Sequence, residues 1–216
     1  DVLPMGSRRA TPYLYSEHDI ASVMAAAAAL RRPLRAATYQ MLIGLLVASG
    51  LRIGEALRLD RGDIDWSHGV LAVRNSKFGK SREIPLHETT LRALESYLDQ
   101  RDRLHPALRG PAVFISTTGN RLLYADAQCT FHKLVQSAGL RPRSASCRPR
   151  LHDIRHTFAV RTLQDAYRCG ADVQLRLRLL STYLGHVDPD ATYWYLSAAP
   201  ELLAFGAERL ERLIGD

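Results

Sequence analysis

The sequence predicts a mostly helical domain with one small antiparallel sheet, an α+β fold, and three observations carry that prediction. Most of the chain falls into segments with apolar residues at helical spacing, several of them opened by a capping residue or closed by glycine. Only one stretch, GVLAVRNSKFGKSREIPL at 69–86, shows two strand-like segments around a basic, glycine-containing turn. No segment repeats another.

The elements run in order from the N-terminus. Ser16 suits the N-cap of an alanine-rich helix from Glu17 to about Leu30. Pro33 punctuates, and a second helix runs from about Leu34 to Ser49, where Gly50 ends it. RIGEALRL predicts a short helix over Arg52 to Leu59, and the 69–86 hairpin comes next. From Thr89 to about Leu104 leucines and charges recur at helical spacing. AVFIS, 112–116, reads as a short strand and TTGNR, 117–121, as a turn. Tyr124 to Ala138 reads as a helix. The basic loop LRPRSASCRPR, 140–150, carries two prolines and is expected to separate two lobes of one domain. Helices at about Leu151–Arg168, Asp172–Leu184, Pro189–Ser197 and Pro200–Ile214 complete the chain.

Composition narrows the function classes. The 216 residues are 46% hydrophobic and 24% charged, as in globular proteins, and the net charge is +7 with a pI near 9.6. Most of the positive excess is arginine, whose planar fork matches phosphate oxygens, so nucleic acid is a natural partner and a solvated basic surface the bland alternative. Three cysteines without a CxxC spacing argue for a reducing compartment and against a disulfide framework or zinc site. The apolar stretches around Ala25–Leu30 and Met41–Val47 are too short to span a bilayer, and no signal peptide is visible.

Several motifs place reactive side chains together. In SGLRIGEALRL, Arg52 comes after a Gly-Leu turn at a helix start, and Glu55 stands three residues on, where it can orient the arginine. The hairpin turn carries Lys77, Lys80 and Arg82; a lysine there can donate a proton in a groove, or merely guard an edge strand. In LHDIRHTFAV, His152 and Arg155 share a helix face, a pairing suited to an anion and a moving proton. Gly185-His186 ends one helix, and Asp188-Pro189 starts the next, which carries Tyr193, Trp194 and Tyr195 at about 100° per residue. A tyrosine among cations can attack phosphorus, but spacing alone does not choose between Tyr193 and Tyr195. Each motif has an ordinary structural reading when taken singly.

Taken in order, SGLRIGEALRL, SKFGKSREIPL, LHDIRHTFA and YLGHVDPDATYWYL make the sequence resemble the catalytic domain of the tyrosine recombinases, the phage-integrase family, from about Tyr13 to Leu203. The resemblance implies that fold, with 13–216 as the catalytic domain, 1–12 as the remnant of a linker, and the family's N-terminal DNA-clamping domain outside this chain. It implies that Arg52 and Arg155 clamp phosphate, that Glu55 supports Arg52, and that Lys77 is the general acid, with Lys80 its rival. It makes His152 the proton acceptor, His186 a phosphate hydrogen-bonder and Tyr195, nine residues beyond His186, the nucleophile. Gly54 departs from the serine of many relatives.

The implied activity is site-specific cleavage and rejoining of double-stranded DNA, as in integration or excision of a mobile element, without metal or cofactor. A type IB topoisomerase and a catalytically dead DNA-binding module are the rival readings. Lys80, Arg82, Arg141, Arg143, Arg148 and Arg150 are expected DNA contacts, with no membrane partner. The final helix, with an apolar stripe at Leu202, Leu203, Phe205, Leu210 and Leu213, either docks on a neighbouring subunit of a tetramer or packs on its own domain. The expected location is the bacterial cytoplasm, at the nucleoid.

Overall fold

Helix α1 (Glu17–Ala28) begins where a reciprocal capping box forms: Ser16 Oγ accepts from Asp19 N at 3.0 Å, and Asp19 Oδ2 accepts from Ser16 N at 2.9 Å. This is a computed structural model, and it describes residues 11–74, 81–106 and 110–185. Helix α2 (Pro33–Ser49) starts with proline at N1 and buries residues all round, so it lies at the centre of the molecule, against α1, α3 (Ile53–Arg58), α4 (Glu88–Leu104) and α6 (Asp153–Arg168). It ends at Gly50, whose φ of 61° reverses the chain toward α3. Helix α5 (Tyr124–Ser137) packs on α1 and α3, and α7 (Val173–Leu184) on α6.

The sheet is antiparallel, in the order β1 (Ile64–Asp65), β2 (Val70–Val73), β3 (Arg82–Pro85). Leu71 pairs with Ile84 and Val73 with Arg82, which puts Leu71, Val73 and Ile84 on the buried face. The expected hairpin is present; its turn, with Lys77 and Lys80, lies outside the described residues, as do His186, both candidate tyrosines and the two last predicted helices. Strand β1 is not foreseen by the sequence pattern, because two residues are too few to show alternation.

AVFIS is not a strand. It makes isolated bridges only, Asp60 with Ala112 and Ile115 with Arg121. Side chains hold two of its carbonyls instead: the fully buried Arg101 of α4 donates from Nη1 to Val113 O at 2.9 Å and also to Ala112 O, and Tyr97 Oη donates to Val113 O at 3.2 Å, while Leu122 N donates to Phe114 O at 2.9 Å. An apolar segment satisfied in this way needs no ladder.

The chain packs in two main clusters, but the expected boundary at the 140–150 loop is not where they divide: the loop begins and ends in the main core, and the division falls within α6, between Ile154 and Ala159. The main core gathers α1 to α5, the sheet and the start of α6; a smaller cluster holds Ala159, Val160 and Leu163 of α6 against Leu177, Leu180 and Leu184 of α7. Tyr183 touches both. Cys147, inside the loop, is buried in the main core and anchors it. Among the described residues no helix is long and apolar enough to cross a membrane, and no cysteine is in a disulfide.

Candidate active site

The αL turn at Gly50 delivers Arg52 to the N-cap of α3. Glu55, three residues on, accepts from Arg52 N at 3.0 Å and from Arg52 Nη1 at 2.8 Å. This is more than a solvated helical pair, because the Glu55 side chain is only 1% exposed and a second guanidinium reaches it. Arg82, from β3, forks the same carboxylate, Nη1 to Oε1 at 3.0 Å and Nη2 to Oε2 at 2.8 Å. Burial alone would raise the Glu55 pKa, but the hydrogen bonds and charges of Arg82 and Arg52 outweigh it and bring it down to about 2.

The last turn of a helix leaves carbonyls without helical partners and carries partial negative charge. At the end of α7 three arginines meet that turn. Arg82 Nε donates to Tyr183 O at 2.8 Å, Arg155 Nη2 to Leu184 O, and Arg52 Nη2 to Gly185 O at 3.2 Å. Arg155 also donates from Nη1 to Gly50 O at 2.8 Å, tying α6 to the turn that presents Arg52. Gly185 has φ 66°, and a Cβ there would lie 3.2 Å from Arg82 Nη1, so the site needs its glycine both for the turn and for the close approach.

His152 is the N-cap of α6 and rests edge-on against His156, with ring centroids 4.9 Å apart. One side of the residue is open to solvent. The protein packed around the rest of the imidazole lowers its pKa, Arg155 lowers it further, Asp153 opposes, and Arg52 and Arg150 add to the lowering. His152 is therefore held neutral at neutral pH, next to two arginines drawn from elements a hundred residues apart. A neutral imidazole can accept a proton, and adjacent guanidinium groups can hold an oxyanion.

Four predicted site residues, Arg52, Glu55, His152 and Arg155, thus come together. Arg82 joins them, and this corrects its expected place among the DNA contacts: its side chain is 12% exposed and turned inward on Glu55. The signal is present in the sequence, since Arg82 shares the strand face of the buried Ile84 at a period of two. Arg141, Arg143, Arg148 and Arg150 are all exposed on the 140–150 loop. Within it Arg143 lies over the Tyr13 ring at 4.5 Å, Arg148 donates to Ala145 O, and Arg150 forks the buried Asp153, which fixes the entry to α6.

Residues 15–201 match the model of the family described as Phage integrase family. The chain belongs to the phage integrase family. It is 45% identical over 218 residues to the putative integrase/recombinase y4rB of Sinorhizobium fredii, covering 98% of this chain and 69% of that protein. Similarity to tyrosine recombinase XerC of Chlamydia caviae is 30% over 161 residues, 74% of this chain and 47% of the relative, so this integrase-family chain spans about half of the XerC length. Among solved structures, XerA recombinase superposes with a TM-score of 0.67 at 25% identity, over 90% of this chain and 65% of that one. The Tn1549 transposon integrase in complex with transposon right end DNA gives 0.69 at 19% identity, over 97% and 69%, a likeness of fold.

Proposed function

We propose that this domain cleaves and rejoins double-stranded DNA at specific sites through a 3′-phosphotyrosyl intermediate. The observation that carries the reading is the convergence of Arg52 and Arg155 on the turn at Gly185, one residue before His186 in the chain, with a neutral His152 in the field of both arginines. In the step proposed, the Tyr195 hydroxyl attacks the scissile phosphorus and the bond from phosphorus to the 5′ oxygen breaks. His152 takes the phenolic proton, and Lys77 gives a proton to the departing 5′ oxygen. Arg52 and Arg155 stabilise the charge on the non-bridging oxygens, each such donor being worth roughly 3 kcal/mol in comparable sites. His186 hydrogen-bonds the same phosphate. The energy of the broken bond is kept in the phosphotyrosine, so a 5′ hydroxyl from a second strand reverses the step without ATP.

Exchange between two duplexes takes four such sites, and a tetramer on DNA joined through the apolar stripe of the C-terminal helix fits that need. The work of such an enzyme is on chromosomal or element DNA, at the nucleoid. A duplex nicked so that the cleaved end diffuses away tests the chemistry. The wild-type chain should accumulate a denaturant-stable protein–DNA adduct and Tyr195→Phe none, with the variant still binding the duplex. Binding without any adduct by the wild type would return the chain to the dead-module reading.

A further inference from the structure

Arg82 gives two hydrogen bonds to the Glu55 carboxylate, and the same guanidinium grips Tyr183 O at the end of α7. Arg82 therefore touches both halves of the site, the α3 side that presents Arg52 and the turn that leads to His186. It lies in sequence just beyond the hairpin turn that carries Lys77 and Lys80. Charge gives this contact a consequence. Arg52, Glu55 and Arg82 together sum to one positive charge; if Glu55 faced Arg52 alone, the pair would be neutral. Because Arg82 shares the carboxylate, Arg52 keeps an attractive field for an incoming anion while its guanidinium is still oriented by Glu55.

We propose that Arg82 is a positioning residue of the active site, which fixes Glu55 so that Arg52 meets the scissile phosphate in the right place and with its charge undiminished. The proposal rests on the reading of the domain as a DNA-cleaving enzyme. A buried ion pair that served stability alone would look similar at rest, so the test needs a substrate that distinguishes them.

Nicked duplexes with either an ordinary phosphate or an uncharged methylphosphonate at the scissile position provide it. The second substrate lacks the negative non-bridging oxygen that Arg52 stabilises. Single-turnover adduct formation by Arg82→Met should be slower than wild type by about 10- to 100-fold on the phosphate, the scale expected for a misplaced catalytic group. On the methylphosphonate it should come within about 3-fold of wild type, because the stabilisation that Arg82 supports is no longer needed. The ratio of the two rates in one preparation is independent of how much protein is folded. Arg82→Lys, which keeps the charge and loses the fork, carries the same comparison if Arg82→Met does not fold, with a smaller but still phosphate-selective defect. Equal defects on both substrates would reduce Arg82 to a stabilising residue and overturn the proposal. Absence of adduct from the wild type on both would overturn the DNA-cleavage reading itself.

Discussion

Glu55 is where the chemistry of single residues is most exposed to test. Its carboxyl titrates at about 2 in the folded protein against an ordinary 4.5. The unfolded chain therefore binds a proton first as pH falls, so the contribution is full above about pH 4.5 and disappears toward pH 2. The gap corresponds to roughly 3 kcal/mol. Urea unfolding should show a stability difference between wild type and Glu55→Gln that is largest near neutrality and shrinks as pH falls from about 5 to 2; a difference constant with pH would mean that the carboxylate is not held by its arginines. His152 gives the second residue-scale prediction. Its lowered pKa means that the base is lost only in more acid solution than for an ordinary histidine. Single-turnover cleavage should rise with pH along a limb whose midpoint lies below the usual 6.5, and His152→Gln should be slow and lack that limb. A midpoint above 6.5 would deny His152 the role of base. Much of this is legible in the sequence: Arg52, Glu55, His152 and Arg155 stand in motifs whose spacing already places them at helix starts. Arg82 is misread there because a basic residue near a basic turn looks solvent-facing, and only its strand parity with Ile84 says otherwise.

At the scale of elements, the turn at Gly50 does three things: it ends α2, swings the chain to Arg52, and gives its carbonyl to Arg155. A Cβ at this position would lie 2.4 Å from Cδ1 of Phe158, on top of the strain of φ 61° for a non-glycine residue. Gly50→Ala should cost about 2–4 kcal/mol, the sum of a left-handed conformation and an overpacked contact, read as a lower urea midpoint. An unchanged midpoint would show that Phe158 swings away freely and that the turn is not a fixed part of the site. The helices are readable because capping and periodicity are local: Ser16, Pro33 and Gly50 mark their ends in the sequence. AVFIS is not, because its apolar, β-branched character is the same whether a neighbouring strand or the buried Arg101 and Tyr97 satisfies its carbonyls. That choice is made by α4, whose Tyr97 and Arg101 give no sign of it in the local pattern.

For the whole molecule, the arrangement explains why so long a chain is needed for so small a site. The main core fixes Arg52, Glu55 and Arg82 and, through the start of α6, His152 and Arg155; arginines from that side hold the end of α7, which packs in the smaller cluster. His186 and the segment with Tyr193 and Tyr195 come directly after that clamped turn in the chain. The central claim is that Tyr195 is the residue that joins DNA there. The two tyrosines stand two positions apart in the sequence; in the helix expected for that segment this is about 200°, so only one of them is expected to serve the phosphate. The most direct measurement is to trap the adduct on a nicked duplex, digest the protein, and identify the nucleotide-bearing peptide and residue by mass spectrometry. The expected result is a nucleotide on Tyr195, joined through a 3′ phosphate; a nucleotide on Tyr193, or on a 5′ phosphate, would contradict the claim.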